Sequence, residues 1–147
     1  MSTETTSLPL TETVTPADED ALAEQVADCF QQQLPVYPLG GCTSQDYGLP
    51  PRQEGIGLSL AGLDRLVDFP ARDLTVTVEA GISMATLAEQ VAAEGLQLPV
   101  HVPAAEQATI GGVIATNWNG PARPGFGTIR DYVIGISAVD GKGLPFR

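Results

Sequence analysis

Two glycine pairs, far apart along the chain, constrain this sequence more than any other feature. The first stands in Pro38-Leu39-Gly40-Gly41-Cys42-Thr43-Ser44, directly after Leu34 to Tyr37, a short strand candidate closed by Pro38. The second lies in Ala108-Thr109-Ile110-Gly111-Gly112-Val113-Ile114-Ala115-Thr116-Asn117, which reads as a short helix packed closely on a neighbour. A pyrophosphate needs several amide N–H groups converging at close range, and small residues let a backbone come that near. Thr43 and Ser44 add hydroxyl donors. A helix opening with Thr109 and paired glycines presents free amides and a favourable dipole to an anion, with Thr116 and Asn117 polar at its far end. Taken singly, the first run suits an ordinary tight turn better, and the second suits a close-packed core helix equally well. The first also lacks the lysine of a P-loop and the spacing of a dinucleotide-binding Rossmann turn.

Charge and rare residues exclude several function classes. The 147 residues suit one domain, or two small lobes sharing a ligand. Net charge is −11, the seven basic residues are not clustered, and Lys142 is the sole lysine. Nucleic acid and anionic membrane surfaces are therefore not expected partners. Cys29 and Cys42 form neither a disulfide framework nor a metal-binding spacing. His101 is the only histidine, so no metal site and no Ser-His-Asp hydrolase is expected. Met1 to Thr15 has no basic residue and no apolar segment, so it does not read as a signal peptide. No run is long and apolar enough for a transmembrane segment. A cytoplasmic protein is the expectation.

Residues 1–15 read as a disordered tail. Thr15-Pro16 reads as an N-cap and first helical position, followed by an apolar stripe of Leu22, Val26, Cys29 and Phe30. Residues 45–55 form a polar, Pro/Gly-rich excursion, and Ile56, Leu58 and Leu60 alternate as on a half-buried strand. Leu74 to Glu79 is the clearest strand. Ser83 can cap a helix running to Glu94, with Leu87 and Val91 inward and Gly95 as its stop. Trp118 to Gly127 reads as a loop around Arg123. Val133 to Val139 reads as a strand, and Asp140-Gly141 as a hairpin turn into Leu144–Arg147.

The order of these segments resembles a known family. The loop at Gly40–Thr43, the stretch Ala71-Arg72-Asp73-Leu74-Thr75-Val76-Thr77-Val78-Glu79-Ala80-Gly81-Ile82 and the run Ala108–Asn117 together are similar to the PCMH-type FAD-binding domain. This is the fold of the vanillyl-alcohol oxidase superfamily. The tract Gly120 to Gly135 looks like the FAD-binding subunits of bacterial glycolate oxidases, with FAD-linked D-lactate dehydrogenases near them. The resemblance runs from about residue 16 to the end. It implies an α+β, two-lobed domain, a first lobe at about 16–70 and the start of a second at 71–147, C-terminally incomplete.

It also implies FAD lying between the lobes. Gly40, Gly41, Cys42, Thr43 and Ser44 would supply the pyrophosphate loop. Thr109, Gly111, Gly112, Thr116 and Asn117 would line the other side, with Pro103 and Gly127 nearby. Cys42 stands where the family usually has a third glycine, so the loop must avoid positive φ there or accept strain. Thr43 stands where covalent members carry a flavin-linking histidine, so FAD is expected to be non-covalent. The implied activity is oxidation of a small 2-hydroxy acid by hydride transfer to FAD. Glycolate oxidase partner subunits, including an iron–sulfur subunit, are the implied assembly. A non-catalytic FAD-binding or subunit-interaction module, or a truncated inactive fragment, stays open beside it. No residue is assigned as catalytic. His101 suits packing or a flavin hydrogen bond, and Arg123 and Arg130 suit an anion or a salt bridge. Trp118 suits packing over a ring system or filling an interface.

Overall fold

The computed structural model describes residues 8–147. Its first sheet is built from β1 (Leu10–Val14), β2 (Val36–Leu39) and β3 (Gly55–Ser59), joined in parallel in the order β1-β3-β2. Residues 10–14 are thus a strand paired to β3, which corrects the expectation of a disordered tail over that stretch. Residues 1–7 lie outside the described part. The strand was hidden because Thr11, Glu12 and Thr13, its middle residues, are polar and exposed. Pairing with β3 decides the conformation, where local composition does not.

Strand β3 is central and covered on both faces, with Gly55 to Leu58 all buried. A β-carbon on Gly57 would lie 2.9 Å from Thr13 Oγ1 and 3.0 Å from Leu39 Cδ1. The half-buried strand expected at Ile56 and Leu58 is therefore a fully buried one, its glycines leaving room for both neighbours. Pro38 sits inside β2, opposite Leu58, and the strand runs on to Leu39. That is tolerable because β2 is an edge strand, where a missing N–H costs no ladder bond.

Helix α1 (Glu19–Gln31) starts three residues later than expected. Its cap is Asp18, whose carboxylate accepts from Ala21 N at 2.8 Å. Cys29 is buried on its inner face, whereas Phe30 is 46% exposed. The short antiparallel pair β4 (Leu66–Asp68) and β5 (Thr77–Val78) follows. Here the expected six-residue strand shrinks to two. Leu74 takes a left-handed conformation (φ +55°) at the end of a single 3-10 turn, Ala71–Asp73, and points out to solvent.

Helix α2 (Met84–Ala93) forms as the sequence requires. Ser83 Oγ accepts from Thr86 N at 3.0 Å, Leu87 and Val91 are buried, and Gly95 turns at φ +73°. Helix α3 (Ile110–Thr116) and the short α4 (Arg123–Phe126) and α5 (Ile129–Tyr132) complete the helical part. Helix α4 occupies the end of the stretch Trp118 to Gly127 expected as a loop. The strand expected from Val133 is confined to β6 (Ala138–Val139), which pairs with β7 (Pro145–Phe146) across the Asp140 turn. One core cluster joins these parts: Ile82, Met84, Leu87 and Val91 against Ala108, Ile110, Val113 and Ile129. Each large aliphatic side chain so buried is worth about 1.5–3 kcal/mol. Among the described residues, no helix is long and apolar enough to cross a membrane.

Candidate functional site

Strand β2 ends in buried Leu39 and delivers Gly40 and Gly41 directly onto the segment that opens α3. A β-carbon on Gly40 would collide with Thr109 Oγ1, and one on Gly41 with the carbonyl oxygen of Gln107. The two glycine-bearing runs therefore meet backbone to backbone, and only glycine permits it. From the other side, α2 and α3 are stitched at their starts. Met84 N donates to Ala108 O at 2.8 Å and Ile110 N to Ile82 O at 3.0 Å, bracketing a bridge between Ser83 and Thr109. The caps of both helices thus stand side by side. A cleft of about 400 Å³ opens there, lined by Gly40, Gly41, Ser83, Thr86 and Thr109, with the acids Asp64 and Glu106 also at its wall.

The loop's amides are the chemically informative part. The N–H groups of Gly40, Gly41, Cys42, Thr43 and Ser44 donate to no described residue, backbone or side chain. Five successive unpaired donors, in a loop whose glycines face a cleft, suit an anion with several oxygens. Cys42 accepts the strain anticipated for it, at φ +55°. An L-residue there costs about 1–2 kcal/mol. Its exposed thiol donates to Gly40 O at 3.6 Å, folding back along the loop.

Helix α3 departs from expectation. Its first amides are already spent: Ile110 N on Ile82 O, Gly111 N on Ala80 O at 2.9 Å, and Gly112 N on Thr109 Oγ1 at 3.3 Å. The helix start therefore does not offer free donors. Gly111 is there for packing, since a β-carbon would lie 2.9 Å from the Ala80 side chain. The Thr116 hydroxyl donates back to Gly112 O at 2.9 Å, and Asn117 ends the helix in a left-handed conformation, φ +48°. Of the expected residues, Gly40, Gly41 and Thr109 line the cleft. Cys42, Thr43 and Ser44 continue the loop, while Pro103, Gly111, Gly112, Thr116, Asn117 and Gly127 lie outside the lining. Gly127 instead makes the φ +82° link between α4 and α5. Ser83 and Gln107 belong to the cleft but were not legible as such. Ser83 signalled only a helix cap, and Gln107 acts through its carbonyl.

Several other side chains have structural duties. His101 is exposed, and Gly120 packs on its backbone carbonyl. Arg65 grips Glu79 with contacts down to 2.7 Å, and this guanidinium hydrogen bond holds the Glu79 carboxyl below its ordinary range. The Thr128 amide and hydroxyl do the same for Asp131, with Arg130 and Arg123 adding smaller attractions. Asn119 Oδ1 accepts from Ile129 N at 3.0 Å, tying the stretch after α3 to α5.

A family model described as an FAD binding domain matches residues 11–147. The chain belongs to the FAD-binding domain family. The PCMH-type resemblance read from the sequence, and FAD as the cofactor, hold accordingly. The D-lactate dehydrogenase of Archaeoglobus fulgidus is 34% identical over 131 residues, 88% of this chain and 29% of that protein. The glycolate oxidase subunit GlcD of Bacillus subtilis is 28% identical, over 91% of this chain and 28% of its own length. The GlcE subunit of the Escherichia coli glycolate oxidase is 30% identical, over 86% and 36%. The chain thus spans about a third or less of these relatives. An alkyldihydroxyacetonephosphate synthase structure superposes with a TM-score of 0.80 at 21% identity, over 92% of this chain and 28% of that one. At that identity the likeness speaks for the fold. The Gly40–Ser44 amides and the glycine-only approach to Gln107 fit the diphosphate of FAD.

Proposed function

We propose that this chain is the FAD-holding part of a flavin-dependent oxidoreductase that oxidises a small 2-hydroxy acid. The observation that carries it is the run of unpaired amides from Gly40 to Ser44, set against Thr109 across the cleft. Relatives named as acting on D-lactate, glycolate and D-2-hydroxyglutarate support the substrate class. The loop amides bind the diphosphate. The loop hydroxyls of Thr43 and Ser44 add donors, and Thr109 closes the far wall. When bound, FAD supplies a two-electron acceptor for the hydrogen on the substrate's hydroxyl-bearing carbon. The protein's share is binding, orientation and exclusion of water from that ring. Thr43 is not a flavin-linking nucleophile, and FAD is held without a covalent bond.

The similarity to two different glycolate oxidase subunits favours a further arrangement. In it, the chain works beside partner subunits, an iron–sulfur subunit among them, that carry electrons onward from the flavin.

Purified protein should show a visible flavin band, and acid precipitation should release all of that flavin into the supernatant. Anaerobic glycolate, D-lactate or D-2-hydroxyglutarate should then bleach the band. FAD retained without bleaching by any of the three would remove the oxidase assignment and leave a binding module.

A further inference from the structure

Among the described residues, one buried side-chain nitrogen lacks a hydrogen-bond partner, and it is Trp118 Nε1. The indole packs against the core cluster. It follows directly on Asn117, the left-handed residue that ends α3. An indole N–H can only donate. Folded proteins pair nearly all such groups, so an exception calls for a specific explanation. Solvent does not provide one, because the nitrogen has essentially no accessible surface.

Beside the indole stands Tyr47, edge-on, with ring centroids 6.3 Å apart and planes at 73°. Tyr47 is 62% exposed and lies outside any helix or strand. Its own N–H makes one long bond, 3.4 Å, to Ser44 O. Ser44 is the last member of the unpaired-amide run. Tyr47 therefore links the anion-facing loop to the residue with the orphaned donor, and more than half of its surface faces solvent. The loop then touches both ends of α3, through Gly40 and Gly41 at Gln107–Thr109 and through Tyr47 at Trp118.

We propose that Trp118 Nε1 donates a hydrogen bond to a ring acceptor of bound FAD, and that Tyr47 is the side chain that moves aside to uncover it. This rests on FAD occupying the Gly40–Thr109 cleft. Both heterocycles of FAD carry planar nitrogen and oxygen acceptors of the required kind, and both lie within a chain length of the diphosphate. Trp118 is then a positioning residue for one ring.

The full chain has a single tryptophan, so an ¹⁵N-labelled sample gives one indole N–H signal. Adding FAD should move that signal downfield. Adding FMN and ADP separately identifies the ring, since each carries phosphate for the loop but only one heterocycle. Trp118→Phe removes the donor and keeps an aromatic ring. It should weaken FAD binding about tenfold, or 1.4 kcal/mol, while the ligand-free protein melts no lower than the parent. A merely packing tryptophan would show the reverse: a lower melting temperature with FAD affinity unchanged. That pattern overturns the proposal, as does an unmoved indole signal in protein that visibly holds FAD. If the parent protein holds no flavin at all, the cleft assignment falls, and this inference falls with it.

Discussion

At the scale of single residues, the glycines separate into those that face something and those that do not. A β-carbon on Gly41 would strike the Gln107 carbonyl and sit 3.2 Å from Ala108 N, both backbone atoms that cannot swing away. Gly41→Ala should therefore destabilise the protein by about 1–3 kcal/mol, the ordinary cost of overpacking. It should also abolish retention of FAD, because the loop can only relieve the clash by leaving the cleft. Gly125, on α4, has nothing within 4 Å of the same position. Gly125→Ala should be neutral or stabilise by up to about 1 kcal/mol, since it mainly stiffens the unfolded chain. Urea midpoints and visible absorbance on the two variants check the contrast; equal behaviour would mean the Gly41 contact is not what fixes the loop. Residue types alone left Gly40-Gly41 open to a tight turn or a close approach. They could not show to what, because Gln107 contributes a carbonyl that every residue possesses.

At the scale of elements, the local signals that were right are those with a partner nearby in sequence. Ser83 with Thr86, and Thr109 with Gly112, are caps written within one turn. Replacing Ser83 by Ala should cost about 1 kcal/mol, read as a shift in denaturation midpoint. Apart from the Thr15 cap, displaced to Asp18, the signals that misled had distant partners. The alternation of Leu74 to Glu79 suggested a strand, but Leu66 and Asp68 pair only with Val78 and Thr77. The free amides expected of α3 are consumed by Ala80 and Ile82, a contact no local pattern records. Helix α5 offers a pH test. Its Asp131 carboxylate accepts from the Thr128 amide at 2.7 Å and hydroxyl at 2.9 Å, and its pKa is lowered in the fold. A group depressed on folding contributes stability that is fully present above its unfolded value, about 3.9. That contribution fades as pH falls through the lower folded value. Titration of Asp131 followed by carboxyl ¹³C shifts should show the depressed midpoint, and Thr128→Ala should return it toward the ordinary range. Asp131→Asn should flatten this part of the acid dependence of stability. A wild-type midpoint at the ordinary value would remove the cap.

At the scale of the whole molecule, the order of motifs revealed the family where no single motif could, because the cleft is lined by segments far apart along the chain, Gly40–Gly41 and Thr109. The same scale shows an electrostatic tension. The chain carries a net charge of −11, the cleft wall includes Asp64 and Glu106, and the ligand's diphosphate is itself anionic. Among the described residues, no lysine or arginine lines this cleft. In the proposed arrangement phosphate is instead met by backbone dipoles, which hold an anion locally without offsetting the long-range field. Two unit charges about 10 Å apart repel by about 0.4 kcal/mol in water, and salt screens that repulsion as the Debye length falls from about 30 Å at 0.01 M to about 8 Å at 0.15 M. Affinity for FAD should therefore rise with ionic strength, by about two- to fivefold over that range, since several such repulsions act together. Glu106→Gln should raise affinity at low salt and lessen its salt dependence. Fluorescence titrations of FAD at a series of sodium chloride concentrations read both effects. A site built on lysine or arginine would lose affinity over the same series. If FAD binding here weakens as salt is added, a cation rather than the Gly40–Ser44 amides is holding the diphosphate.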